Sequence, residues 1–302
     1  MSDPRQTYRC GYVALIGRPN VGKSTLLNYL LGQKISITSD KPQTTRHRIL
    51  GVKTSAQWQI VYVDTPGLHG KANRAMNQYM NRAATSILND VNVIVLVIEA
   101  LKWKEDDELA LQRLANVTAP VVLAVNKVDR VADKARLLPF LQEVSAKREF
   151  LEVIPVSATR GTNLEQFEST LGALLPEGEP YFPEDQVTDR SERFLAAEII
   201  REKLMRRLGQ ELPYRLTVQI ERYEPQEKLV RIYAVIWVDR PNQKAIVIGK
   251  DGQLLKEVGR EARVDIQRQQ GRKVYLNLWV KVKEGWFDDE RALQSLGYGD
   301  EP

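Results

Sequence analysis

The sequence predicts two α/β modules in tandem: a P-loop-type domain with a mostly parallel sheet and helices on both faces, then a smaller α+β module. Three observations predict this. Strand-like apolar runs beginning at Tyr12, Gln59, Val93, Pro120 and Val153 alternate with helical stretches, as in a parallel sheet covered on both sides. The segment Leu175 to Asp189, carrying Pro176, Pro180 and Pro183, breaks that alternation and reads as a linker. Beyond it the order changes to helix (Ser191 to Leu208), strand (Tyr214 to Glu221), strand (Leu229 to Val238), short helix, glycine turn, helix (Leu254 to Gln270) and strand (Val274 to Val282). A chain of 302 residues is long enough for two cores. The expected divisions are residues 8–176, a linker at 177–189, and residues 190–300.

Composition sets outer limits. An apolar content of 43% with 27% charged residues is that of an ordinary globular protein, and a net charge of +5 is compatible with an RNA partner without requiring one. The longest apolar run, Val91 to Ala100, is interrupted by Asn92 and Glu99 and falls well short of the roughly 20 residues of a membrane span, so it reads as a buried strand. Met1 to Arg9 lacks the apolar core of a signal peptide, and the single cysteine, Cys10, excludes an internal disulfide framework. A cytoplasmic compartment is expected, with Cys10 as a small buried residue.

The first chemical signal is Gly17-Arg18-Pro19-Asn20-Val21-Gly22-Lys23-Ser24, set between the strand-like Tyr12 to Ile16 and the helix-like Thr25 to Leu31. This is the phosphate-loop pattern. Such a loop aims successive backbone N–H groups at phosphate oxygens and opens a helix whose positive dipole end favours an anion. Lys23 is expected on the β- and γ-phosphates and the Ser24 hydroxyl on Mg²⁺.

The base is specified further along, by Asn126-Lys127-Val128-Asp129 at the end of the run Pro120 to Val125, where open α/β sheets bind ligands. The Asp129 carboxylate can accept from guanine N1–H and from the 2-amino group; adenine offers neither donor there. Leaving a buried acceptor unpaired costs roughly 1–3 kcal/mol, so one carboxylate imposes a preference for GTP and GDP. Asn126 braces the loop, the Lys127 stem covers the ring, and Val156-Ser157-Ala158 brings a backbone N–H to guanine O6.

Between these two motifs, Asp64-Thr65-Pro66-Gly67 follows the strand-like Gln59 to Val63. Asp64 is the expected carboxylate behind Mg²⁺, and Gly67 an N–H donor to the γ-phosphate. The polar stretch Gln43-Thr44-Thr45-Arg46-His47 is of a length to fold over the phosphates, with Thr45 favoured over Thr44 to complete the Mg²⁺ shell. Leu68 stands where many GTPases place a water-orienting glutamine, and leucine cannot do that work. Asn20 either holds a K⁺ ion against the developing charge or merely shapes the loop. His69 is either a base or a solvated loop residue. The groups expected to act on the γ-phosphate are Lys23, Thr45, Gly67 and Asn20.

The second module carries Ile248-Gly249-Lys250-Asp251-Gly252, a Gly-x-x-Gly turn entering a helix. From Arg240 to Lys283 there are 11 Lys and Arg against 4 Asp and Glu, whereas Glu284 to Pro302 has 1 against 6. The glycines let backbone approach phosphates, Lys250 and Lys256 can pair with them, and Ile246, Ile248 and Leu255 can floor a groove for unstacked bases. Residues 248–252 and Lys256 are the candidate RNA contacts. Trp286, beside Phe287, either stacks a base or caps the domain core.

Taken in order, with Thr-Thr-Arg-His (44–47) ahead of Asp-Thr-Pro-Gly-Leu (64–68), these elements resemble the Era family of translation-factor-related bacterial GTPases, from about Tyr12 to Tyr298. The resemblance implies that the second module is a type II KH domain, that GTP is hydrolysed to GDP with Mg²⁺, and that the partner is 16S rRNA near its 3′ end during maturation of the 30S ribosomal subunit. It also implies loose peripheral association with the inner membrane, for which the sequence offers no amphipathic anchor beyond the basic helix Arg193 to Arg207, itself more simply an element of the KH domain; a monomer is expected. An RNA-binding chaperone with mainly structural nucleotide is the alternative. A tRNA-modifying GTPase is disfavoured by the lack of a C-terminal cysteine or cofactor domain.

Overall fold

The computed structural model of the protein describes residues 7–68, 74–209 and 211–298. These divide into two compact units, one of residues 7–36, 45–68 and 80–189, the other of residues 37–44, 74–79, 190–209 and 211–298. His69 lies outside the described residues.

Elements run in the order β1 (Arg9–Ile16), α1 (Lys23–Leu31), β2 (Ile49–Thr54), β3 (Trp58–Asp64), α2 (Ala75–Thr85), β4 (Val93–Glu99), α3 (Glu105–Arg113), β5 (Val121–Asn126), α4 (Leu137–Ser145), β6 (Glu152–Pro155) and α5 (Leu164–Leu174). The sheet order is β2-β3-β1-β4-β5-β6, parallel throughout except for β2, which runs antiparallel to β3. Every residue of β4 and of β5 is buried, which explains why these strands read as continuous apolar runs rather than alternating ones. The parallel strands end together, so the loops after β1, β3 and β5 open on one edge of the sheet. Residues 177–189 run along this unit: Gly178 N–H donates to Tyr8 O at 3.0 Å, and Val52 N–H to Val187 O at 2.8 Å.

β2 is absent from the sequence-based expectation. Its run of six residues is broken by Gly51, whose Cβ would lie 2.6 Å from Leu31 and 2.8 Å from Leu27. That glycine lets α1 pack closely over the strand.

The second unit contains α6 (Glu192–Arg207), β7 (Leu216–Pro225), β8 (Leu229–Val238), α7 (Pro241–Ile248), α8 (Gln253–Gln270), β9 (Lys273–Val282) and α9 (Glu290–Ser295). Its sheet is β7-β8-β9, antiparallel then parallel. Alternate residues of each strand, among them Val218, Ile220, Ile232, Ile236, Val274 and Val280, meet Ile199, Leu204, Val258 and Ile266 of the helices in one core. Ser191 caps α6 by accepting from Phe194 N–H at 3.2 Å. The basic residues near the end of α6 are engaged within the unit, Lys203 with Asp265 and Arg207 with Glu257 and Glu261.

Trp286 is 0% exposed and packs edge-on against Phe287 at 5.5 Å, so it is a core residue and offers no face to a base. Cys10 is buried. Among the described residues no helix is long and apolar enough to cross a membrane.

Candidate nucleotide site and basic cleft

The loop between β1 and α1 adopts its shape because glycines stand where side chains cannot. At Gly17 a Cβ would sit 2.4 Å from the Val97 carbonyl, and at Gly22, in the left-handed region at φ 105°, it would sit 2.4 Å from the Asn126 amide. α1 starts at Lys23 with no side-chain cap, so its first N–H groups face the loop as an anion site. Lys23 is buried and donates to the carbonyls of Gly17 at 2.9 Å and Arg18 at 3.1 Å. Burial lowers its pKa to about 8, against the opposing attraction of Asp64.

Three oxygen-bearing side chains converge beside it. Ser24 Oγ lies 2.8 Å from Thr45 Oγ1 and donates to Asp64 Oδ2 at 2.7 Å, and Ser36 Oγ donates to the same carboxylate oxygen at 2.9 Å. The other oxygen, Asp64 Oδ1, is buried with no hydrogen-bond partner among the described residues. Burial raises the Asp64 pKa, opposed by Lys23, Ser24 and Ser36. An all-oxygen cluster with an unsatisfied buried carboxylate oxygen fits a hard divalent cation such as Mg²⁺. Of the two threonines, Thr45 has its hydroxyl in this cluster, while Thr44 Oγ1 donates to the Lys41 carbonyl at 2.6 Å.

Gly67 is required by close approach, since a Cβ there would lie 2.7 Å from the Pro19 nitrogen. Thr65 Oγ1 donates to Leu15 O at 2.8 Å and anchors the strand end before Pro66. Leu68 is 3% exposed and packs in the core of the first unit.

Asn126 ties the base-recognition loops together. Its Nδ2 donates to Val21 O at 2.9 Å, and its Oδ1 accepts from Lys127 N–H at 2.8 Å and Ala158 N–H at 3.0 Å. Lys127 has a left-handed φ of 66°, and its ammonium donates to the Asn20 carbonyl at 2.5 Å and to Glu99 at 3.0 Å. Val128 is buried beneath the loop. Ser157 Oγ donates to Asp129 Oδ1 at 2.6 Å. Slight burial raises the Asp129 pKa, but the Ser157 bond and the nearby Arg160 and Arg130 outweigh it and lower it overall, so the group is an anionic acceptor. A carboxylate accepts several bonds, which leaves capacity for the two donors on a guanine edge.

Sequence reasoning missed Ser36, Glu99 and Asp107. The Arg18 side chain is taken up within the protein, by a buried pair with Asp107 at 2.8 Å, by Glu99 at 3.5 Å and by the Pro19 carbonyl at 3.2 Å, so its backbone is what the loop offers a nucleotide. Burial tends to raise the Glu99 pKa, but Lys102 and Lys127 bring it down to about 2. No spacing rule links these residues.

In the second unit, Gly249 at φ 74° joins α7 to the turn, and a Cβ there would lie 2.7 Å from Leu254 Cβ. Gly252 at φ 72° has open space beside it. A cleft of about 530 Å³ follows, lined by Gly252, Leu255, Lys256, Gly259, Arg260 and Arg263 from the helix side, with 276–278 on β9 opposite. Of the expected contacts, Gly252 and Lys256 line it, whereas Ile248 packs toward the core and Ile246 is 54% exposed outside the lining. Lys250 and Asp251 occupy the turn itself. Gly259, Arg260 and Arg263 were legible as the residues three and four places beyond Leu255, Lys256 and Gly259 on one helix face.

A family model described as 50S ribosome-binding GTPase matches residues 12–127, and one described as KH domain matches residues 211–287. The chain is 56% identical over 292 residues to GTPase Era of Pseudomonas aeruginosa strain LESB58, covering 97% of this chain and 96% of that one. It is 55% identical over 300 residues to GTPase Era of Pseudomonas putida strain F1, covering 99% and 100%. Among solved structures it matches Era in complex with MgGDPNP and nucleotides 1506–1542 of 16S ribosomal RNA, at TM-score 0.93 and 42% identity, over 97% of this chain and 99% of that one. A variant of Aquifex aeolicus Era bound to GDP·AlF4⁻ matches at TM-score 0.93 and 42% identity, over 96% and 99%.

Proposed function

The chain belongs to the Era family of GTPases, and from that premise we propose that it is a GTP-hydrolysing switch that binds 16S rRNA near its 3′ end and assists assembly of the 30S subunit. One observation carries the switch reading. Thr45 places its hydroxyl 2.8 Å from Ser24 in the oxygen cluster, while the carbonyl of the preceding residue, Thr44, accepts from Arg201 of α6. Residue 45 thus belongs to the nucleotide-binding unit and residue 44 to the KH unit.

The segment ahead of Thr44 is fixed to the same helix. Thr38 N–H donates to Glu202 at 2.9 Å, Arg206 donates to the Thr38 carbonyl at 3.0 Å, and Lys41 donates to the carbonyls of Met205 and Leu208 at the end of α6. A change in what Thr45 binds is therefore felt one peptide bond from the KH unit.

In the proposed mechanism the N–H groups at the start of α1 and Lys23 hold the β- and γ-phosphates, and the Gly67 N–H donates to the γ-phosphate. Ser24, Thr45 and Asp64 are the residues that would hold Mg²⁺, which when bound would offset charge on the transferred phosphoryl group. Asp129 reads the guanine edge, with Asn126 as brace. Leucine at position 68 cannot orient water as a glutamine does, and Asn20 is the residue that would hold a K⁺ ion, whose charge would offset that developing on the phosphate. The absence of a glutamine there favours slow intrinsic turnover, the feature on which the chaperone reading rests. A cytoplasmic location fits the single cysteine, and peripheral membrane contact is part of the same family-based proposal.

Thr45→Ala tests the switch assignment. It is expected to slow GTP hydrolysis by roughly 10–100-fold, the scale of lost metal-site support, with GDP affinity changed by no more than about twofold. Unchanged hydrolysis contradicts the role given to Thr45.

A further inference from the structure

The helices of the KH unit cover one face of its sheet; the other face carries an aromatic row. By strand alternation, Arg231, Tyr233, Val235 and Trp237 of β8 share that face with Lys273, Tyr275, Asn277, Trp279 and Lys281 of β9. Tyr233 lies at 5.9 Å from the Tyr275 ring and 6.0 Å from Trp279, the latter with planes only 17° apart. Arg222 sits over Tyr233 at 5.2 Å and Lys281 over Trp237 at 5.7 Å. Tyr275 is 48% exposed and Trp279 42%.

Cross-strand packing accounts for rings meeting each other, but not for outermost aromatics left nearly half in water with cations stationed over their neighbours. Aromatic faces beside Arg and Lys are the surface on which unstacked bases settle, whereas a protein-docking face is built around buried aliphatic and aromatic anchors in pockets. Here the aliphatic Val235 is fully buried. The face has four cations, Arg222, Arg231, Lys273 and Lys281, against Glu221 and Glu224. The acids pair with Lys281 and Arg222, so Arg231, which stands opposite Glu224 in the register, and Lys273, at the Tyr275 end, are in no ion pair among the described residues.

The row also adjoins the basic cleft. β9 is an edge strand, and Asn277, which lines the cleft, lies between Tyr275 and Trp279 in the strand. Tyr275 and Trp279 are four residues apart, about 13 Å along the strand.

We propose that this outer sheet face is a stacking platform for unpaired RNA nucleotides, continuous around β9 with the Gly-x-x-Gly cleft. One RNA strand fills the cleft, turns over β9 and lays its next bases on Tyr275, Tyr233 and Trp279. The proposal rests on the RNA-binding reading above, and its test separates the two.

Two nested fragments of the 16S rRNA 3′ end, of about 6 and about 16 nucleotides, are titrated at fixed salt into the full chain with a GTP analogue. The double substitution Tyr275→Leu with Trp279→Leu is expected to weaken the longer RNA by roughly 10-fold or more and the shorter one by no more than about twofold. Tyr275→Phe with Trp279→Phe, which keeps the ring faces, is expected to restore binding of the longer RNA. Gly252→Asp, by contrast, weakens both fragments through the cleft. With 5-iodouridine in the longer fragment, photocrosslinks are expected on Tyr275, Trp279 or Tyr233. Wild-type affinity of the leucine variant for the longer RNA, with crosslinks confined to the cleft, overturns the platform alone and leaves the face to a protein partner. Failure of the unsubstituted protein to bind either RNA overturns the RNA reading and the platform with it.

Discussion

Lys23 is a buried ammonium group, and its pKa is lowered to about 8 from an ordinary 10.5 by that burial. Because the unfolded chain binds the proton more tightly, this residue's penalty on folding is fully present below about pH 8 and disappears as pH rises to 10.5. A bound phosphate reverses the preference by favouring the charged amine. Nucleotide binding at pH 8 is therefore expected to take up about half a proton, and affinity to fall as pH rises above that point. Calorimetric titrations in two buffers of different ionisation enthalpy measure the uptake directly; identical heats in both contradict it. Lys23, Ser24, Asp64, Asn126 and Asp129 were legible in the sequence because anion binding and base reading demand particular residues at short spacings. Ser36 and Asp107 were not, because their partners, Asp64 and Arg18, stand 28 and 89 residues away. The burial of Trp286 was one of two readings open in the sequence, and only the tertiary packing around it decides between them.

At the scale of elements, hydrophobic periodicity revealed β1, β3, β4, β5 and β6 and the strand and helix order of the second unit. It missed β2, where Gly51 interrupts a short edge strand, and α9, whose six residues are too few for a period to show. It also gave no sign that α3 is tied to the phosphate loop through Arg18 and Asp107 at 2.8 Å. Arg18→Met leaves the Asp107 carboxylate buried without its partner and is expected to cost about 3–5 kcal/mol. Urea denaturation should show this as a lower midpoint with an unchanged slope. An unchanged midpoint indicates that the pair is not structural.

The two units are each complete in core and sheet, yet the chain does not divide cleanly between them. Residues 37–44 and 74–79 come from the first part of the sequence and belong to the KH unit. Composition and proline content mark a linker at residues 177–189, a stretch the structure keeps in the first unit, but nothing in the polar stretch before Thr45 announces that Thr38, Lys41 and Thr44 bond to α6. In the proposed switch, those bonds would link the segment ending at Thr44, one peptide bond from Thr45, to α6. Any such coupling is reciprocal, so on the switch account RNA favours the same nucleotide state that favours RNA. The most direct test is the affinity of a labelled 16S rRNA 3′-end oligonucleotide for the full chain at fixed salt, without nucleotide, with GDP, and with a non-hydrolysable GTP analogue. The switch account predicts clearly tighter binding with the GTP analogue alone, and equal binding in all three states contradicts it.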